Sequence, residues 1–277
     1  MKPEPSANPS GVNANVGGCS RDAFLGGAVV LLQPKTGYRA GADAVLLAAS
    51  LNPLHSVRAG LPPLRVGDFG AGVGTVGLCL ATRCRAIHID LIERDPGLAQ
   101  LARDNCQENT VRAQLAGRIT VVETDITGPA VYQDLPGNTY DHVLANPPYY
   151  VTGTVRRPRN AQRCASNVFA EGDIAKWVST MSRTLKPSGS ATVINVASKL
   201  DELLAALSPT FGRITVVPIH ARAFEPAKRV LVRAHKGARG DLTIAPPLVL
   251  HDRIGRAYSP GVRAVLMAPE PLRIWPG

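Results

Sequence analysis

The run Leu64-Arg-Val-Gly-Asp-Phe-Gly-Ala-Gly-Val-Gly74 predicts a short strand that leads into three closely spaced glycines. Residues 75–82 follow with the apolar content of a helix. Glycines at such a turn let the backbone approach a ligand without obstruction by a Cβ atom. Asp68 ends the strand, where its carboxylate can meet a cation or a hydroxyl group. The pattern predicts a strand-turn-helix unit that binds a ligand at its turn; glycines that only tighten the turn are the alternative.

An acidic residue also ends the next predicted strand. Glu93 lies nineteen positions after Gly74 and follows the alternating run Ile87-His-Ile-Asp-Leu-Ile92. A carboxylate at this place in an α/β fold can accept both hydroxyl groups of a ribose. Gly72-Val-Gly-Thr-Val-Gly77 also satisfies the pattern G-x-G-x-x-G, so a nicotinamide dinucleotide stays open as the ligand.

Strands and helices alternate along the rest of the chain. Residues 119–125 predict a third strand, whose last residue, Asp125, could accept a hydrogen bond from a cofactor adenine, with Ile126 beside the ring. Alternatively, Asp125 only begins a turn. Further strands are predicted at residues 140–145, 190–197, 212–220 and 229–235. This alternation predicts an α/β fold with a mostly parallel, doubly wound sheet that binds ligands at the carboxyl ends of its strands.

The fourth strand stops at Asn146-Pro-Pro-Tyr149, a polar, rigid and aromatic loop. An amino group on a planar substrate could donate its two hydrogens to the Asn146 side-chain oxygen and the Pro147 carbonyl, while Tyr149 stacks on the ring. That arrangement suits methylation of an exocyclic amine, since the nitrogen lone pair is drawn out of conjugation and needs no strong general base. A Pro-Pro turn that closes the strand is the alternative.

The charge favours a polyanionic partner. The formal net charge is +10 and the isoelectric point is near 9.7, which favours nucleic acid. Residues 151–167 contain four arginines and no acidic residue, and they predict a phosphate clamp or, alternatively, a solvated loop. Lys228 and Arg229 belong to a second basic surface. The four arginines are Arg156, Arg157, Arg159 and Arg163.

The outer parts of the chain divide by composition. Residues 1–20 predict a disordered tail, residues 21–60 a lead-in that covers the cofactor pocket, residues 61–255 the main domain, and residues 256–277 a C-terminal tail. Within the lead-in, Arg39 and Asp43 are four apart, so they either form an ion pair or face the cofactor. Five cysteines and six histidines show no metal-site spacing, and no apolar run reaches about 18 residues. We expect no metal, no membrane span and a reduced cytoplasmic location.

Several segments together resemble the class I S-adenosylmethionine-dependent methyltransferases. The likeness is narrower to the bacterial valine-tRNA adenine-N6 methyltransferase family, and it extends over roughly residues 25–255. The segments that carry it are Gln33-Pro-Lys-Thr-Gly-Tyr-Arg39, Asp43-Ala-Val-Leu-Leu-Ala48, Asp68-Phe-Gly-Ala-Gly-Val-Gly74, Asn146-Pro-Pro-Tyr149, Leu185-Lys-Pro-Ser-Gly189 and Ala227-Lys-Arg-Val-Leu-Val-Arg233.

This resemblance implies a Rossmann-like fold with a seven-stranded, mostly parallel sheet, helices on both faces, and S-adenosylmethionine as cofactor. It implies that the methionine part of the cofactor lies beside Gly70, Gly72 and Gly74, with Asp68 nearby. It places Glu93 on the ribose and Asp125 on the adenine. Asn146 and Pro147 would hold the target amine, and Tyr149 would stack on an adenine flipped out of a tRNA anticodon loop, the adenosine just 3′ of the anticodon.

The acceptor is not determined by the tetrapeptide. Relatives with the same Asn-Pro-Pro-Tyr methylate guanine N2 in ribosomal RNA or a glutamine in release factors. A nicotinamide oxidoreductase and a non-catalytic RNA-binding module also remain as alternatives. The sequence does not determine the oligomeric state.

Overall fold

The computed structural model describes residues 18–36, 39–51, 62–111, 114–148, 150–151, 168–169, 173–252, 255 and 257–275. Tyr149 and the four arginines of residues 151–167 lie outside the described residues, as do residues 1–17 of the predicted tail. The predicted roles of these residues therefore stay predictions.

The secondary structure alternates between strands and helices. The strands are β1 Cys19–Phe24, β2 Val29–Pro34, β3 Leu64–Phe69, β4 Ile87–Glu93, β5 Ile119–Glu123, β6 Tyr140–Ala145, β7 Tyr150–Val151, β8 Val168–Phe169, β9 Leu185–Val196, β10 Phe211–His220, β11 Ala227–Lys236, β12 Thr243–Ile244 and β13 Leu248–Val249. The helices are α1 Ala42–Ser50, α2 Thr75–Arg83, α3 Pro96–Asn109, α4 Val131–Asp134, α5 Asp173–Thr184, α6 Leu200–Leu207 and α7 Pro260–Met267. Among the described residues, none of these helices combines the length and the apolar character that a membrane crossing requires.

The main sheet has the order β12-β10-β11-β9-β6-β3-β4-β5, and β13 also pairs with β10. Strand β11 runs antiparallel to both β9 and β10, whereas the other pairs are parallel. The seven long strands are those predicted, so the predicted α/β fold is confirmed. The two-residue strands β12 and β13 extend the sheet beyond β10.

Helices cover both faces of this sheet, as predicted. Leu91 and Ile92 are neighbours on β4 but belong to different hydrophobic clusters, because successive side chains of a strand point to opposite faces. The Leu91 cluster includes side chains of α1 and α2, and the Ile92 cluster includes side chains of α5 and α6. Two buried layers therefore hold the sheet in place from both sides.

The structure differs from the prediction at the boundary between the tail and the lead-in. The lead-in begins with the antiparallel hairpin β1–β2, and β1 starts at Cys19, inside the segment predicted as a tail. Strand β1 has no apolar alternation, so its pairing with β2 could not be recognised from the sequence. Arg39 pairs with Asp22 of β1 at 2.5 Å, and Asp43 pairs with Arg229 at 3.0 Å. Arg39 precedes the first turn of α1, so the spacing of four did not bring it to Asp43 as it would within a helix.

The segment predicted as a C-terminal tail contains α7 and a docked extension. The Leu272 amide donates to the Ala49 carbonyl at 2.9 Å, and the Trp275 indole donates to the Ser50 carbonyl at 2.6 Å. Arg233 donates to the same Ser50 carbonyl at 2.7 Å and stacks over the Trp275 ring at 4.1 Å. These donors satisfy the last carbonyls of α1, which have no partner within the helix.

Candidate active site

The glycine loop, residues 70–74, leaves the carboxyl end of β3. Gly70 and Gly72 have φ values of +70° and +56°, which a residue with a side chain adopts only with strain. A Cβ atom on Gly70 would lie 2.6 Å from the Trp177 ring, whereas one on Gly72 would meet nothing within 4 Å. The loop therefore packs tightly against α5 on one side and leaves open space at Gly72. Gly74, with φ +88°, precedes the first residue of α2.

Asp68 is buried beneath this loop. Its Oδ2 accepts a hydrogen bond at 2.9 Å from the Gly77 amide in the first turn of α2, and the residue is 1 % exposed. Burial raises the pKa of Asp68 to about 7; the Gly77 hydrogen bond opposes this rise and the nearby Glu93 adds to it. Asp68 thus ties the end of β3 to the start of α2.

Glu93 is held beside the glycine loop by two backbone amides. Its Oε2 accepts from Gly72 at 2.8 Å, and its Oε1 accepts from Asp95 at 2.9 Å. Burial raises the pKa of the Glu93 carboxyl, and the amide hydrogen bonds counteract that effect. Each carboxylate oxygen retains lone pairs for a further donor. The carboxylate is therefore fixed and still able to bind a pair of hydroxyl groups.

Asp125 follows β5, the next strand of the sheet. Its Oδ1 accepts from the Thr127 amide at 2.8 Å and from the Thr127 hydroxyl at 2.7 Å, and Arg94 lies 3.7 Å from Oδ2. Burial alone would raise the pKa of Asp125, but the Thr127 hydrogen bonds and Arg94 outweigh it, so the pKa lies below its ordinary value. Ile126 is 5 % exposed and its carbonyl accepts from Thr180 at 2.8 Å. Most of Ile126 is therefore core, next to a half-exposed carboxylate.

Asn146 follows β6 directly beside the glycine loop. Ala145 of β6 and Phe69 of β3 are paired across the two parallel strands, so the next residues, Asn146 and Gly70, leave the sheet side by side. Neighbouring strands lie about 4.8 Å apart, so these two residues are close neighbours at the edge of the sheet. Asn146 is half-buried and Pro147 is buried.

The remaining predicted residues lie on the lead-in and on β11. Arg39 donates to Ser20 at 2.7 Å and pairs with Asp22, which directs it to the lead-in hairpin. Asp43, predicted to face the cofactor, and Arg229, predicted to bind RNA, are brought together in one ion pair. Lys228 is exposed on β11. Among the described residues, no group of three potential metal ligands is present.

Asn105 of α3 also belongs to the site, although the sequence pattern did not predict it. Its Nδ2 donates to the Val73 carbonyl of the glycine loop at 3.0 Å and to the Leu32 carbonyl at 3.1 Å, while its Oδ1 accepts from the Leu32 amide at 2.7 Å. It is fully buried, three residues after the buried Ala102. A polar residue at the apolar spacing of this helix was the signal that could have identified it.

Trp177 of α5 is 7 % exposed within the cluster that contains Ile92. Its contact with Gly70 was not foreseen. The tryptophan thus belongs to the core, and its ring leaves no room for a side chain at Gly70 of the glycine loop.

The known proteins to which this chain is similar are named as methyltransferases. Residues 54–224 match the sequence model of the methyltransferase small domain family. A tRNA1(Val) (adenine(37)-N6)-methyltransferase of Aeromonas hydrophila is 31 % identical over 72 % of this chain and 77 % of its own length. The enzyme of the same name from Shewanella loihica is 30 % identical over 84 % of this chain and 92 % of its own. The crystal structure of a predicted O-methyltransferase of Agrobacterium tumefaciens superimposes with a TM-score of 0.66 at 28 % identity, covering 83 % of this chain and 98 % of that one.

Proposed function

This chain belongs to the methyltransferase small domain family and to the family of its bacterial relatives named tRNA1(Val) (adenine(37)-N6)-methyltransferases, and we propose that it methylates N6 of an adenine in tRNA. The adenosine just 3′ of the anticodon is the proposed target. The fold is that of a class I methyltransferase, and the methyl donor is S-adenosylmethionine. Membership of this family excludes the nicotinamide alternative.

The residues at the carboxyl ends of β3, β4 and β5 fit this cofactor. The open backbone at Gly72 suits the methionine part, the fixed Glu93 carboxylate suits the ribose hydroxyls, and Asp125 suits the adenine amino group. The hydroxyl groups of Thr75 and Thr124, next to the glycine loop and to Asp125, are buried without a hydrogen-bond partner among the described residues. A polar ligand beside them would satisfy groups of this kind.

The position of Asn146 beside Gly70 is the observation that supports the reaction. The bound cofactor supplies a methyl group on a sulfonium centre. The Asn146 side-chain oxygen and the Pro147 carbonyl accept the two hydrogens of the target amine, and they hold its nitrogen with the lone pair out of the ring plane. Rate acceleration then comes from positioning and from polarising the amine, and the proton that leaves the nitrogen passes to solvent. Tyr149 is proposed to stack on the flipped base.

The net charge of +10 supports a nucleic-acid substrate. We assign phosphate contacts to Arg156, Arg157, Arg159, Arg163, Lys228 and Arg229, and a cytoplasmic location, where tRNA is modified. Arg39 and Asp43 are proposed to contribute to the cofactor pocket, with their ion pairs to Asp22 and Arg229 holding the lead-in over it. The ordered strand-end residues argue against a non-catalytic binding module.

The proposal is tested by incubating the protein with isotope-labelled S-adenosylmethionine and separate pools of unmodified tRNA, ribosomal RNA and protein. Mass spectrometry of the digested products should find label in N6-methyladenosine from tRNA. Asn146→Ala tests the catalytic role. Its turnover should fall roughly 10²- to 10³-fold, while its affinity for S-adenosylhomocysteine stays near that of the wild type. Label in N2-methylguanosine or methylglutamine would replace the substrate, and unchanged turnover of Asn146→Ala would remove this residue from the catalytic role.

A further inference from the structure

The turn between β10 and β11, residues 221–226, holds an aromatic ring that the fold does not use. Phe224 is 93 % exposed and has a φ of +69°. A bulky residue at such a φ is strained, and an exposed ring gains no burial in return. Both effects oppose folding, so the fold does not account for a phenylalanine at this position.

The Phe224 turn lies at the ligand-binding edge of the sheet. Strands β9 and β10 are both antiparallel to β11, so β10 runs in the same direction as β9, β6 and β3. The turn that follows β10 therefore emerges at the edge that carries the glycine loop and Asn146. From β6 to β10 there are three strand spacings of about 4.8 Å, which places the turn roughly 15 Å from Asn146 along the edge.

The turn is held in a fixed shape. The Nδ1 atom of His220 hydrogen-bonds to the Glu225 carbonyl at 2.5 Å, and Arg222 donates to the Gly255 carbonyl at 2.8 Å. Arg222 also lies 3.6 Å from the Glu225 carboxylate. The ring is therefore presented from a braced turn, which lowers the loss of conformational entropy when a ligand binds.

Basic and aromatic residues adjoin this turn. The pairing of β10 with β11 shifts between Ile219 and His220, so Lys228 is an extra, exposed residue of β11 next to the turn. Bulges of this kind redirect a side chain. His251 donates its amide to the Ala221 carbonyl at 3.0 Å, and its ring stacks on Tyr258 with centroids 4.8 Å apart. Exposed rings beside a cation are the pattern with which proteins bind unpaired bases and their phosphates.

We propose that Phe224 stacks on an unpaired base of the RNA substrate, in a nucleotide that flanks the target, while Lys228 contacts its phosphate. This inference rests on the proposed function and extends it, since contacts to flanking nucleotides select the substrate of enzymes that act on a flipped base. A base about 15 Å from the reacting amine is within reach of the same single-stranded loop.

The decisive variant is Phe224→Gly, because it should weaken RNA binding without lowering the stability of the protein. Glycine relieves the left-handed backbone, so the melting temperature should rise or stay unchanged. Loss of the ring should weaken binding of an unmodified anticodon stem-loop roughly 5- to 100-fold, measured in the presence of S-adenosylhomocysteine. Phe224→Trp should restore binding.

Ser188→Gly is the matched control. Ser188 is exposed, has a φ of +63° and lies near the start of β9, at the opposite edge of the sheet. This substitution should relieve the same kind of strain and leave RNA affinity unchanged.

A stem-loop with an abasic site in place of the stacked base completes the test. The wild type should lose affinity for it, whereas Phe224→Gly should bind it as it binds the intact stem-loop. Wild-type RNA affinity of Phe224→Gly overturns the inference even if the enzyme methylates tRNA. A wild-type enzyme that modifies no tRNA overturns the proposed function, whatever the variant does.

Discussion

The two halves of the ligand-binding edge are built differently. At β3, β4 and β5, the carboxylates of Asp68, Glu93 and Asp125 each accept a backbone amide, so their positions are determined by the fold. At β10 and β11, Phe224 and Lys228 project into solvent. A small cofactor must be surrounded by groups already in place, whereas a folded RNA brings its own rigid surface to a few protruding side chains. In the cofactor half the binding side chains themselves are held in place, whereas at β10 and β11 only the turn that carries them is braced. Three predictions test how far this difference extends.

Replacing Asp68 should change the free energy of unfolding more than the other substitutions in this comparison. Because its folded-state pKa is raised to about 7, the native protein holds a proton that the unfolded chain releases above 3.8. Stability should therefore fall as pH rises through this window. Asp68→Asn, which keeps an oxygen for the Gly77 amide and cannot ionise, should be more stable than the wild type near pH 8 by up to about 4 kcal/mol. The two proteins should be equally stable at about pH 3, below the unfolded-state pKa of 3.8.

Urea denaturation at both pH values measures this difference, and Asp125→Asn serves as the control. The pKa of Asp125 is lowered, so its contribution to stability is present above its ordinary pKa and is lost in acid, the opposite sign. Equal pH profiles for the two variants would show that the strand-end carboxylates do not differ in this way.

The second prediction concerns Glu93, which should act on cofactor binding alone. Glu93→Gln removes a charged acceptor and should weaken binding of S-adenosylhomocysteine roughly 10- to 100-fold by calorimetry, with little change of turnover at saturating cofactor. Asp95→Asn removes a neighbouring charge from a residue that caps α3, and it should leave cofactor affinity nearly unchanged. If Glu93→Gln instead lowers turnover at unchanged affinity, the division of the edge into a cofactor half and an RNA-binding half is wrong.

The third prediction compares Asn105 with Asn109, and its expected change in cofactor affinity is the weakest of the three. Both are fully buried on α3 and each binds the backbone of β2 through its side-chain amide, but only Asn105 also reaches the Val73 carbonyl of the glycine loop. Replacing either residue by alanine should lower the free energy of unfolding by about 1–3 kcal/mol, since backbone partners remain unsatisfied. Only Asn105→Ala should also weaken cofactor binding, by roughly 3- to 10-fold.

Titration calorimetry of both variants, beside their denaturation curves, compares the two effects. Equal cofactor affinities at equal loss of stability would mean that Asn105 supports the fold and not the glycine loop.

The fold could be predicted from patterns of neighbouring residues in the sequence. The seven long strands and the helices between them follow from alternation and apolar spacing, and the polar residues at strand ends converge because parallel strands share one carboxyl edge. Strand β1 was not predicted, because its pairing depends on Asp22, Gln33 and Arg39 rather than on an apolar face.

Contacts between distant residues limited the prediction of the site. Asp43 meets Arg229 across 186 positions, and the partner of Asn105 in the glycine loop lies 32 positions before it. Such partners are selected by the packed structure, and the spacing of residue types along the chain does not reveal them. The exposed Phe224 was not recognised because a single phenylalanine in a turn has no periodicity to interpret.

The docking of Trp275 on the end of α1 has a consequence for biosynthesis. Ser50 is made 225 residues before the indole that binds its carbonyl. At about 5–20 residues per second, the end of α1 stays uncapped for roughly 10 to 45 seconds on the ribosome. For most of the same interval, Arg229, the ion-pair partner of Asp43, has not yet been synthesised. The lead-in therefore completes its contacts late in translation, so a prematurely terminated chain retains an open first helix that chaperones and proteases can recognise.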